Sequence, residues 1–166
     1  MTIVYRILTY LLLPLGVIFA FLTLAALTAS LGNVAALLPS FLCGSTVIYI
    51  ITSLIFLQNG ILGEKKCKPG LFDWIRVNGF VALFMGSVFI FQGIFLRGNA
   101  EISELLKVQM DTMTEQLNEA DKTKMPNLEK LISGVLNFML VSGLLLVIHI
   151  MLGFSVMKKY AAVFGR

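Results

Sequence analysis

His149, Asn137, Gln92 and Arg76 are the polar side chains that invite chemistry here, because each falls inside a long apolar run of this 166-residue sequence. A group that can ionise at membrane depth is a functional candidate by default, since hydrocarbon penalises charge. His149 could carry a proton or hold a metal or quinone. It is the chain's one histidine, however, and a metal site needs several ligands. A proton path would want an aspartate or glutamate in the same run, and residues 131–157 contain none. The reading that answers the pattern is a neutral histidine hydrogen-bonded between helices, with Ser142 on the same helix face as a suitable companion. Arg76 belongs to the run DWIRVN at the edge of another apolar segment. There an arginine reaches back to lipid headgroups, and Asp73 is placed to cap the start of a helix.

Other chemistry is not signalled. GxSxG, HExxH, CxxC, P-loop and GxGxxG patterns do not occur, so no catalytic, metal or cofactor residues are expected. Cys43 and Cys67 make no disulfide framework. Cys67 sits in EKKCK as an ordinary exposed cysteine, although its lysine neighbours are expected to lower its thiol pKa.

The elements that must position these residues follow from composition and periodicity. The chain is 58% hydrophobic and 13% charged, against about 25% charged for soluble domains. Four apolar runs, at about residues 7–29, 35–57, 74–96 and 131–157, are each long enough to cross a bilayer as a helix. The expected fold is therefore all-α: a polytopic membrane protein, one four-helix transmembrane bundle over residues 1–166. Gly16, Ala20 and Thr23 form a small-residue strip on the first helix, and the short uncharged link after it predicts a tight antiparallel hairpin. The third run carries Gly79, Gly86 and Gly93 at a seven-residue repeat, with Ala82 on the same face. Such glycines weaken a helix in water, whereas in lipid they let another helix approach to backbone contact. That face can serve the bundle's own interior or a second subunit.

Between the third and fourth runs lies the one long polar stretch, residues 98–130. Ile102, Leu106, Met110, Met113 and Leu117 recur at helical spacing along it, with acidic residues elsewhere around the turn. This predicts an extracytoplasmic amphipathic helix whose soft, methionine-bearing stripe lies on the bundle or docks a partner. Lys and Arg set the orientation. The N-terminal flank, the loop before the third helix and the C-terminus hold eight of them against Glu64 and Asp73, while the other side holds five against seven acids. Both termini are thus expected in the cytoplasm, in the plasma (bacterial inner) membrane. Tyr5, Trp74 and Tyr160 fall at that same interface, as aromatic belts do. Expected partners are membrane lipid and a homo-oligomer or larger membrane complex, with no nucleic acid. The function that fits is an accessory subunit docking through the helix-3 glycine face and the outer helix. An oligomeric transporter or channel for a small solute or ion is the alternative.

Overall fold

The computed structural model describes residues 2–99, 108, 112 and 128–165, and all of its regular structure is helical. Four of the described helices are long and apolar enough to cross a membrane. They are α1 (Thr2–Ser30), α2 (Leu37–Ile55), α3 (Pro69–Gly98) and α4 (Leu128–Lys159). The chain divides into two compact units, Met1–Ser87 with Leu144–Arg166, and Val88–Gly143, so α3 and α4 each run through both.

In the first unit, α1 and α2 form a hairpin. Its turn is closed by Asn33, whose side chain accepts a hydrogen bond from the Ala35 N–H at 3.0 Å and starts a short 3-10 turn, Val34–Ala36. Small residues then set the helix spacing. A Cβ on Gly16 would lie 3.3 Å from Ile50, and one on Gly44 would lie 3.5 Å from the Thr23 methyl. Pro14 is accommodated inside α1, as bilayer helices allow where neighbours re-satisfy the freed backbone.

The helices are longer than the apolar runs alone suggest. α2 continues as a π-helical segment, Phe56–Leu62, through residues expected to be loop. Gly60 permits that continuation: a Cβ there would sit 2.9 Å from the Phe56 ring and 3.2 Å from the Cys67 sulfur. The chain then reverses at Glu64, which takes a left-handed φ of 49°. α3 starts at Pro69 rather than after Asp73, so Asp73 lies within the helix and is not its N-cap. Proline explains the shift, since its fixed φ and missing N–H suit a first helical position. The C-terminal tail also folds back. Val163 accepts a hydrogen bond from the Cys67 N–H at 2.9 Å, and the buried Phe164 ring stacks on Phe56 at 5.0 Å and meets Phe72 edge-on at 5.3 Å. The start of α3, the end of α2 and the tail therefore meet at one end of this unit, the end that carries Lys65, Lys66, Lys68, Arg76, Lys158 and Lys159.

The glycine repeat of α3 is buried against the chain itself. In the first unit, a Cβ on Gly79 would lie 3.1 Å from Phe154 and 3.3 Å from Tyr49, Ala82 is fully buried, and Gly86 is buried too. In the second unit, Gly93 meets Leu140, at 2.7 Å from an added Cβ. Arg97 of α3 also donates to the Asn137 side-chain oxygen of α4 there. Heptad glycines thus bring two antiparallel neighbours to close range, and the wall opposite is made of large side chains.

Gly79→Leu should therefore lower thermal stability in detergent, with an overpacking cost of about 1–3 kcal/mol. Gly134→Leu should leave the melting temperature unchanged, because nothing lies within 4 Å of a Cβ at that position. Equal melting temperatures for the two variants would contradict the packing of Gly79.

Candidate functional site

Among the described residues the most heavily engaged polar side chain is His149. It sits in α4 with no solvent exposure, held by α1 and α2. Its Nε2 lies 2.9 Å from Thr9 Oγ1, and its Nδ1 lies 2.9 Å from the Tyr49 hydroxyl. The Tyr5 ring stacks on the imidazole at 4.8 Å with an interplanar angle of 13°, while Tyr49 approaches it edge-on.

Donor counting assigns the tautomer. Thr9 Oγ1 is also 2.8 Å from the Tyr5 carbonyl, which can only accept. A hydroxyl has one hydrogen, so Thr9 donates it to Tyr5 and must accept from His149. Nε2 therefore carries the imidazole hydrogen, and Nδ1 accepts from the Tyr49 O–H. The bonds run in one direction, from Tyr49 through His149 and Thr9 to the Tyr5 carbonyl. A neutral ring satisfies every group in that chain. It ends on a backbone carbonyl of α1, so it ties three helices together and offers a proton no onward acceptor. Such interhelical bonds in membranes are worth about 0.6 kcal/mol each on average.

Each side chain is placed by a four-residue step on its own helix: Tyr5 and Thr9 on α1, Tyr49 and Ser53 on α2, His149 and Gly153 on α4. Residues four apart share a helix face. Gly153 leaves room for both tyrosines; a Cβ there would be 3.2 Å from the Tyr49 oxygen and 3.4 Å from the Tyr5 ring. The Tyr5 hydroxyl reaches the Ser53 carbonyl at 3.5 Å, and the fully buried Ser53 hydroxyl has no hydrogen-bond partner among the described residues.

Of the sequence candidates, His149 is at the centre of this cluster and its companion is not Ser142. Ser142 donates to the Met139 carbonyl of its own helix at 3.1 Å, which is how a serine satisfies itself when no side-chain partner is in reach. Asn137 is exposed and pairs with Arg97, and Gln92 is exposed on α3. Arg76 is exposed and lines a cleft of about 320 Å³ with Lys158 of α4. The stripe Ile102, Leu106, Met110, Met113 and Leu117 lies outside the described residues. Sequence reasoning missed Thr9, Tyr49 and Ser53, although polar residues at four-residue spacing in apolar helices were the available signal. It set Tyr5 in an interfacial belt, whereas Tyr5 is fully buried against His149. Asn78 is buried and bonded to the Trp74 carbonyl at 2.9 Å. It lines a second cleft, of about 290 Å³, with Phe41 and Ser45 of α2 and Asp73, Trp74, Val77 and Val81 of α3.

Cys67 departs from expectation. Partial burial pushes its thiol up. The π-helical turn at Gly60 and the C-terminal tail at Val163 lie against it, while the lysine side chains beside it are exposed. No group of three His, Cys, Asp or Glu residues that could hold a metal occurs among the described residues.

This architecture defines a class: an all-helical integral membrane protein with four membrane-length helices. No protein-family model, curated protein or solved structure matches the chain.

Two measurements check the site. With one histidine in the chain, a ring ¹⁵N spectrum reads it directly and should show a protonated Nε2 and a hydrogen-bonded, unprotonated Nδ1. A protonated Nδ1 with bare Nε2 would reverse the assignment, and Tyr49→Phe should move the Nδ1 signal while Ser142→Ala should not. Alkylation of Cys67 should be slower at neutral pH than that of an unstructured peptide thiol, rising to the peptide's rate only at higher pH. Faster alkylation at neutral pH would mean the lysines control the thiol after all.

Proposed function

We propose that the protein is a small structural and interaction subunit of the plasma (bacterial inner) membrane, docking onto other membrane subunits. The observation that carries this reading is the two-sidedness of α3. Its glycine face is taken up by the chain's own helices, while Trp74, Val77, Phe80 and Phe84 stand outward, each more than half exposed. Beside this ridge runs the cleft shared with α2, whose largely apolar walls carry Ser45, Asn78 and the Asp73 carboxylate. A ridge beside a groove is the relief that another helix packs against, and aromatic side chains are frequent anchors at interfaces. The docking surface in this reading is the outward face of α3 with the α2 cleft, and the stripe Ile102, Leu106, Met110, Met113 and Leu117 is a separate docking element. The glycine face supports it from behind by holding α3 in place.

The same reading sets both termini in the cytoplasm, because the basic residues gather where the α2–α3 connection and the C-terminal tail meet. The His149 cluster acts as a fastening between helices. A transport role would need the Tyr49–His149–Thr9 chain to continue beyond the Tyr5 carbonyl.

Purification in mild detergent, with mass spectrometry of the complex, tests the proposal. A defined partner at fixed stoichiometry is expected, released by Phe41→Ala with Val77→Ala, two exposed residues that line the cleft, with little change in melting temperature. A monomer that carries no partner would overturn the reading. A homo-oligomer whose solute flux is abolished by His149→Ala would replace it with a transporter or channel.

A further inference from the structure

A different cleft carries a binding site for lipid. It lies in the first unit between α3 and α4, at the basic end, and is lined by Phe72, Arg76, Phe80, Phe154, Met157 and Lys158. Its chemistry is graded along the helices. Lys158 is one residue from the end of its membrane-length segment, and Arg76 is two turns inside the start of the other. Phe80 lies one turn deeper than Arg76, and Phe154 one turn deeper than Lys158. These two rings meet at 5.3 Å and close the inner end of the cleft. The residues lining it include two cations and no acid.

We propose that this cleft binds an anionic phospholipid, with the headgroup phosphate held by Arg76 and Lys158 and the first part of an acyl chain laid over Phe80 and Phe154. Charge complementarity names the occupant. Arginine presents a planar fork of donors that matches phosphate oxygens, and lysine adds a compact second charge. Basic pockets between membrane helices recognise anionic headgroups on this principle. The aromatic floor explains why a whole lipid is preferred over a free anion: a soluble phosphate would leave Phe80 and Phe154 uncovered. The volume of about 320 Å³ is far below that of a whole phospholipid, so the rest of the lipid lies along the outer helix surfaces. Gly79 belongs to the same construction. Its missing side chain lets Phe154 lie against α3, with 3.1 Å to an added Cβ. The docking reading uses the cleft on the opposite flank of α3, and the two share Phe80 on the ridge between them.

The test is native mass spectrometry of the full chain released from nanodiscs containing phosphatidylglycerol or phosphatidylcholine with identical acyl chains. Phosphatidylglycerol should be retained in preference to phosphatidylcholine, and excess inorganic phosphate should not displace it. Arg76→Gln and Lys158→Gln should each weaken retention about fivefold, the effect of about 1 kcal/mol per cation near a membrane surface. Lys159→Gln removes the same charge from an exposed residue that does not line the cleft, and should change nothing. Equal retention of both lipids would overturn the proposal, as would equal weakening by Lys159→Gln. Displacement by inorganic phosphate would identify a free-anion site and equally defeat it.

Discussion

An imidazole buried in a membrane-length helix has two ring nitrogens and no water to satisfy them. That constraint organises the first unit of this protein. Lipid tails supply no hydrophobic drive for helix association, so helices must be held by close packing and by polar groups that find each other. His149 meets the demand through Tyr49 of α2 and Thr9 of α1. Tyr49 is the hub of the arrangement. Its hydroxyl serves His149 and would be crowded by a side chain at Gly153 of α4, while its ring would be crowded by one at Gly79 of α3. The hydrogen-bond chain and the glycine contacts are therefore one construction: widening the helices would break the bonds, and filling the glycines would push out the ring.

That construction shapes what is left for function. α3 is drawn in by its small residues, so its large residues are turned out. The outward ridge has a cleft on each flank, and the two clefts differ chemically. The flank toward α2 is largely apolar, with Ser45, Asn78 and the acidic Asp73 as its polar side chains, suited to a helix of another subunit. The flank toward α4 has cations at its mouth and rings at its floor, suited to a lipid with a charged head. Both follow from an interior that holds α3 by its glycines, without bulk at its edges.

The basic end shows how a few terminal residues complete a fold. Phe164 fills the space beside Phe56 and Phe72, and the Val163 carbonyl satisfies the Cys67 N–H. A tail of a few residues thereby covers the π-helical end of α2 and partly buries the only cysteine outside the membrane-length segments. The sequence reads Cys67 as an ordinary exposed cysteine with lysine neighbours able to activate it. The fold partly buries the sulfur, and that burial pushes the thiol up.

Sequence by itself determined the class. Four apolar runs, few charges and a seven-residue glycine repeat need no tertiary information, because hydrocarbon thickness and backbone satisfaction leave a helix as the form for each run. It also singled out His149 as a neutral interhelical residue. Tertiary structure decided which side chains His149 meets, because Thr9 and Tyr49 are 140 and 100 residues away and hydroxyls in apolar helices look alike until the helices pack. It decided that the glycine face of α3 turns toward the chain's own helices, a choice that small residues leave open to any close neighbour. It placed helix ends beyond the apolar runs, where Pro69 and Gly60 outweigh polarity. Periodicity names the face of a helix that will pack, and only the assembled helices supply what it packs against.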